Sequence, residues 1–223
     1  MRGFAASDGD LVADGLACRR GERLIFSGLG CVLPAGGALL LTGANGSGKS
    51  TLLRLLATLL APEAGTIAWG GAPIREDLPG HRARLHYVGH LDAVKPALAV
   101  RETLEFSAGL RGVQTPSADA ALAAFGLDAV ADWPCRWLSA GQKRRLALAR
   151  LLAAPAPLWL LDEPTAALDA DGERRLIASI EAHRTSGGRV AIATHQALPL
   201  AGSQVLVLED FTPTANDSLA FTP

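Results

Sequence analysis

Nine consecutive residues, Gly43-Ala44-Asn45-Gly46-Ser47-Gly48-Lys49-Ser50-Thr51, combine spaced glycines with a lysine and two hydroxyls. Glycine admits positive φ and close backbone approach, so successive N–H groups can turn inward on phosphate oxygens. A helix starting near Lys49 adds the positive end of its dipole. Lys49 would reach the β- and γ-phosphates of a nucleotide, and Ser50 offers Mg²⁺ the hard oxygen that ion prefers. Far along the chain, the apolar run Leu158-Trp159-Leu160-Leu161 ends in Asp162-Glu163. Asp162 is expected to bind Mg²⁺ directly or through water, and Glu163 to orient or deprotonate the water attacking the γ-phosphorus. ATP and Mg²⁺ are therefore the implied cofactors.

The elements around these residues follow from patterning. The apolar run Ala38 to Leu41 precedes the glycine loop and Leu52-Leu53-Arg54-Leu55-Leu56 follows it, which predicts a strand, a loop and a helix running to about Leu60. Leu11 to Ala17 and Leu24 to Leu33 predict an antiparallel hairpin, with short strands at Thr66–Trp69 and His86–Gly89. From Asp92 to Trp137 the apolar spacing turns helical, around Val100 to Leu110 and Ala118 to Phe125, with prolines between the pieces. Ser139 caps a helix to Ala153, and Asp171 to Thr185 is amphipathic and stopped by Gly187-Gly188. Leu158–Leu161, Val190–Thr194 and Val205–Leu208 read as strands buried on both faces. The fold class is α/β: a mixed sheet core with an antiparallel β-subdomain and a small α-helical subdomain, its ligand at the carboxyl edge of the strands. The expected division is one domain over 1-223. Residues 1-91 and 138-209 form its nucleotide-binding core, 92-137 the helical subdomain and 210-223 a loosely packed tail.

Composition removes several classes of function. The 223 residues carry a formal charge of −1 with dispersed arginines, so no electrostatic footprint for nucleic acid or anionic lipid is present and no nucleic-acid partner is expected. Cys18, Cys31 and Cys135 lack metal-ligand spacing and read as reduced, mostly buried thiols. Met1 to Asp10 has no apolar signal segment, which implies a cytoplasmic chain. Leu151 to Leu161 is short of the roughly 20 residues a membrane helix needs, and Pro155 and Pro157 interrupt it.

The segment Leu138-Ser139-Ala140-Gly141-Gln142-Lys143-Arg144-Arg145 resembles the LSGGQ signature of ATP-binding-cassette (ABC) ATPases. The resemblance covers about Leu11 to Glu209 and implies a P-loop NTPase of ABC type. It implies that Ser139, Ala140, Gly141 and Gln142 meet ATP bound by a second ATPase subunit, in a head-to-tail homodimer. It also implies that Asp169, in Ala167-Leu168-Asp169, is the D-loop aspartate at that seam, and that His195 is the switch histidine contacting the γ-phosphate. Two positions depart from the family. Arg20 stands where an aromatic stacks on adenine, and a guanidinium could stack in its place, with Phe26 the next candidate. His90 stands where the family has the Q-loop glutamine.

Tyr87-Val88-Gly89-His90, the Leu-Ser-Ala-Gly-Gln signature and the short cassette look like the ATPase subunits of the bacterial cytochrome c biogenesis, or haem-exporter, subfamily. That resemblance implies integral membrane partners and a peripheral place on the cytoplasmic side of the inner membrane. The work powered would be haem export or release of a haem-loaded periplasmic chaperone. A soluble ABC ATPase of ribosomes or DNA is the competing class, but it usually carries two cassettes or a coiled-coil insertion. A cassette that only binds nucleotide is disfavoured by the presence of Lys49, Glu163 and His195 together.

Overall fold

The computed structural model describes residues 9–113 and 118–213. Residues 1–8 and, from the expected tail, residues 214–223 lie outside that range. The core is a parallel five-stranded sheet in the order β6-β7-β8-β3-β9. Its strands are β3 (Ala38–Thr42), β6 (Leu85–Val88), β7 (Leu158–Asp162), β8 (Arg189–Ala193) and β9 (Gln204–Val207). A separate antiparallel sheet, in the order β2-β1-β4-β5, joins β1 (Leu11–Arg20), β2 (Arg23–Leu33), β4 (Ala64–Trp69) and the two-residue β5 (Ala72–Pro73). The expected mixed sheet is thus divided between one purely parallel and one purely antiparallel sheet.

Period-two alternation explains why the central strands β7, β8 and β3 are covered on both faces, whereas β9, expected to be buried, lies at the sheet edge with Val205 and Val207 exposed. Leu158 and Leu160 of β7, Ala191 and Ala193 of β8, and Leu39 and Leu41 of β3 point into one core. That core holds helix α1 (Lys49–Leu56) and the antiparallel sheet, through Leu52, Leu53, Phe26 and Ile67. Trp159 and Leu161, Val190 and Ile192, and Ala38 and Leu40 point the other way. There they meet α3 (Val100–Gly109), α4 (Ala118–Phe125), α5 (Ala140–Ala153) and α6 (Ala170–Thr185), through Leu104, Phe125, Leu146 and Ile180. Among the described residues between β6 and α5 no strand forms, only helices, turns and a single Ala99–Pro134 bridge.

Three further local expectations change. Helix α1 stops at Leu56 rather than Leu60: Thr58 takes φ +57°, and the N–H groups of Leu59 and Leu60 both turn back to the Arg54 carbonyl. A short helix α2 (Leu78–Ala83) was not anticipated. Asp77 caps it through the Gly80 N–H at 2.9 Å, and six residues containing a proline and a glycine are too few to show helical periodicity. The start of the expected loose tail instead forms a 3₁₀ turn, Leu208–Phe211, whose Leu208 is buried and whose Phe211 packs on the core.

Two imidazoles, the buried His183 and the half-buried His86, are pushed well below the ordinary histidine range by this packing. His183 of α6 stacks on Trp159, ring centroids 3.9 Å apart and planes 8° from parallel, and burial pushes its pKa down to about 4. Burial, then the nearby Arg111, does the same to His86. Folded values below the unfolded 6.5 mean that the folded chain resists protonation. This stability is full above pH 6.5 and is lost as pH falls toward 4. Urea unfolding should therefore show a loss on the order of 2 kcal/mol per ring between pH 7.5 and 5. His183→Phe should make the fall shallower, and an unchanged slope would contradict the assignment.

Candidate active site

The parallel register brings the site to one edge. Leu41 pairs with Ala193, and Ala193 with Asp162, so β3, β8 and β7 end in one row. Immediately beyond that row lie the glycine loop, His195 and Glu163, while β6 ends just before Gly89-His90. A cavity of about 360 Å³ opens there, lined by Asn45, Gly46, Gly48 to Thr51, Asp162, Glu163, His195, His90 and Arg20. Residues scattered over 175 positions of sequence, from Arg20 to His195, thus share one wall.

Each side chain is held by a specific contact. Lys49 is buried, and its Nζ donates to the carbonyls of Gly43 at 2.6 Å and Ala44 at 3.0 Å. The Ser50 hydroxyl donates to Asp162 Oδ1 at 2.8 Å. His195 Nε2 lies 3.0 Å from Glu163 Oε1, and the preceding Thr194 hydroxyl fixes the turn by bonding both the N–H and the carbonyl of Gln196. Glu163 itself takes φ +48°, a left-handed conformation unusual for glutamate.

These groups fit a magnesium nucleotide. Ser47 Oγ is buried with no hydrogen-bond partner, an orphan that a phosphate oxygen would satisfy. Ser50 and Asp162 offer Mg²⁺ two adjacent oxygens, the small protein share that ion takes when phosphates supply the rest. Among the described residues no cluster of three His, Cys, Asp or Glu could hold a metal without such help.

The signature residues lie elsewhere. Ser139 caps α5, accepting the Gln142 N–H at 3.2 Å while Gln142 Oε1 accepts the Ser139 N–H at 2.9 Å. A Cβ on Gly141 would sit 3.0 Å from the Ala167 carbonyl, so glycine there lets the two segments approach. Asp169 caps α6 through the Gly172 N–H at 2.9 Å and pairs with Arg145. That hydrogen bond, then Arg145, holds its carboxyl below the usual range. None of Ser139 to Gln142, nor Asp169, lines the cavity that holds Lys49.

The sequence profile of the family described as ABC transporter matches residues 26–166. The chain belongs to the ABC transporter family. Two relatives are both named cytochrome c biogenesis ATP-binding export protein CcmA. The one from Rhodospirillum rubrum is 54% identical over 95% of this chain and 91% of its own length. The one from Paramagnetospirillum magneticum is 53% identical over 92% and 96%. Among solved structures, a putative ABC transporter ATP-binding protein from Pyrococcus furiosus matches with TM-score 0.81 and 24% identity over 92% of this chain and all of that one. A bacterial Atm1-family ABC exporter with ATP bound matches with TM-score 0.78 and 26% identity, over 92% of this chain and 38% of that one.

Within this ABC ATPase, one expectation fails and two residues emerge that sequence reasoning missed. Phe26 cannot stack on a base, because it is 0% exposed and packs beneath Gly48; its neighbour Ile25 lines the cavity beside Arg20. Glu209 reaches back to the glycine loop and accepts the Ala44 N–H. That bond is the first cause holding its carboxyl below the usual range, and the nearby Lys49 charge adds to it. No local signal announces a contact spanning 165 residues. Arg144, by contrast, shares a helical face with Leu148 and Leu151, and a charge on an apolar stripe is a legible anomaly.

Gly48 carries the sharpest steric demand. It has φ +108°, and a Cβ there would lie 2.7 Å from Ile25 Cγ2 and 2.9 Å from Phe26 Cδ1. Gly48→Ala should cost about 2–4 kcal/mol in urea unfolding. By displacing one N–H from a phosphate, it should also weaken ATP binding at least about tenfold in calorimetric titration. Wild-type affinity would show that this N–H faces no phosphate.

Proposed function

We propose that this chain is the ATP-hydrolysing subunit of a membrane ABC complex in cytochrome c biogenesis, powering haem export or release of a haem-loaded periplasmic chaperone. The observation that carries the reading is the Glu163–His195 pair, 3.0 Å apart and facing the cavity that holds Lys49, Ser50 and Asp162. The shared name of relatives about half identical over nearly the whole chain supports the cytochrome c assignment.

In this reading the N–H groups of Asn45 to Thr51 bind the phosphates, with Gly43 and Ala44 opening the loop. Lys49 exchanges its carbonyl partners for β- and γ-phosphate oxygens. Ser50 and Asp162 hold Mg²⁺, which supplies charge neutralisation across the phosphates. Glu163 orients the water and accepts its proton as the new oxygen–phosphorus bond forms and the bond to ADP breaks. His195 fixes the carboxylate by the contact seen here and meets the γ-phosphate. Arg20 lies against the base.

Because Ser139–Gln142 and Asp169 stand outside the cavity of their own chain, a second copy, head to tail, supplies them to the bound ATP. Residues 1-91 and 138-209 act as the nucleotide-binding core and 92-137 as the helical subdomain. Among the described residues no helix is long and apolar enough to cross a membrane. In this reading the subunit sits peripherally on the cytoplasmic side of the inner membrane, docked on integral membrane subunits, as the export-protein names of its relatives suggest. A groove of about 570 Å³ between residues 86–93, the end of α3 and α5 suits a partner helix, with Leu91 81% and Leu110 73% exposed at its rim. His90 and Arg54 line both this groove and the nucleotide cavity.

Two experiments test the reading. Glu163→Gln should bind MgATP with near wild-type affinity while hydrolysis falls at least about a hundredfold. Gel filtration should then show an ATP-dependent dimer, whereas brisk hydrolysis or a persistent monomer would sink it. In the complex with its membrane subunits, His90→Ala should retain ATP binding but lose most stimulated turnover, and His90→Gln should restore much of it. A fully active alanine variant would remove His90 from the coupling path.

A further inference from the structure

Arg144 lies on the buried face of α5 and is 2% exposed, so its charge needs compensation within the fold. Its guanidinium offers five N–H donors, and the structure supplies five acceptors. Nε donates to the Pro164 carbonyl at 3.2 Å; Nη2 donates to the carbonyls of Asp162 at 2.8 Å and Glu163 at 2.6 Å. Three successive carbonyls of the turn carrying the acidic pair therefore converge on one side chain. Nη1 donates to the Gly89 carbonyl at 2.9 Å and to Asp92 Oδ1 at 3.1 Å, on either side of His90 and Leu91.

The turn needs such a clamp. Glu163 at φ +48° occupies a region that is strained for a non-glycine residue, and Pro164 disfavours the right-handed helical alternative. Three hydrogen bonds hold that conformation: Glu163 N–H donates to the Ala193 carbonyl at 2.9 Å, and the Glu163 carbonyl accepts from Arg144 and from the Ala166 N–H at 3.1 Å. The first ties the residue to β8. The second ties it to the loop that separates the nucleotide cavity from the groove.

We propose that Arg144 is a positioning residue that sets the direction of the Glu163 carboxylate and links it to the Gly89–Asp92 loop, so that a shift of this loop changes hydrolysis without changing nucleotide binding. The inference rests on the reading of Glu163 as the carboxylate acting on water. Signals from the groove then have a route of two hydrogen-bond steps: from Gly89 or Asp92 to the guanidinium, and from the guanidinium to the Glu163 carbonyl. Lysine cannot substitute, since its three donors diverge from one atom and cannot reproduce the five bonds of the guanidinium.

The test compares Arg144→Lys, Asp92→Asn, their combination and Glu163→Gln in the full chain. It measures kcat, KM for ATP, ATP affinity and thermal melting. Arg144→Lys should lower kcat at least about tenfold per nucleotide-binding molecule, with KM and affinity within about threefold of wild type. Asp92→Asn leaves the carbonyl clamp in place and should lower kcat about two- to fivefold at unchanged KM. Its effect should vanish in the Arg144→Lys background, since the two act along one path. A wild-type kcat in Arg144→Lys, or independent effects in the double variant, would overturn the link and leave Arg144 as packing alone. If Arg144→Lys does not fold, Asp92→Asn decides alone: a reduced kcat at unchanged KM and melting temperature supports the link, and an unchanged kcat overturns it. Glu163→Gln separates the two levels. Brisk hydrolysis by that variant removes the catalytic reading, whereas a dead Glu163→Gln beside normal Arg144→Lys and Asp92→Asn removes only the arginine link.

Discussion

Hydrogen-bond register in a parallel sheet fixes where every strand ends relative to its neighbours, and this chain builds its chemistry on that constraint. Leu41, Ala193 and Asp162 occupy one row across β3, β8 and β7. Glu163 follows this row directly, and Gly43 and His195 come one residue further on, so their proximity needs no long loop to create it. A slip of one residue in β7 would exchange Leu158 and Leu160 with Trp159 and Leu161 between the two cores. The same packing that stabilises the sheet therefore protects the alignment of the site.

Two polar groups inside this frame show opposite cases. Arg144 saturates all five of its donors on backbone and carboxylate oxygens. Ser47 Oγ, in contrast, is buried and unpaired at the place where phosphate is expected. Burial without a partner is costly in a free protein, and its occurrence beside the cavity is a physical reason to read the loop as incomplete by itself. The capping box of Ser139 and Gln142 carries a related message. These side chains are satisfied within α5, and any outside anion must compete with that arrangement.

Much of this was legible in the sequence because it is local. A continuous apolar run gave β7, a capping serine gave α5, and glycine spacing gave the loop at Gly43 to Thr51. What stayed hidden depends on partners remote in sequence. The turn at Thr58 that shortens α1, the six-residue α2, and the contact of Glu209 with Ala44 have no periodic signature. Phe26 and Ile25 illustrate the limit in a strand. Both fit the hairpin pattern, but irregular pairing between β1 and β2 decides which of them faces the cavity. The candidate site residues are proposed from their types, their order and the family resemblance, whereas the clamp beside them could be suspected only as an arginine on an apolar face.

The sheet order also governs when the site can exist during synthesis. The antiparallel sheet is complete once Pro73 has emerged, but β3 lies between β8 and β9, which follow it by about 150 residues. At roughly 5–20 residues per second, a ribosome takes about 8–30 s to deliver them. Throughout that interval β3 has neither neighbour, and Ala44 waits still longer for Glu209. The glycine loop is made long before the strands and the carboxylate that flank it, so a nascent chain has no completed candidate site until residues up to Glu209 are free.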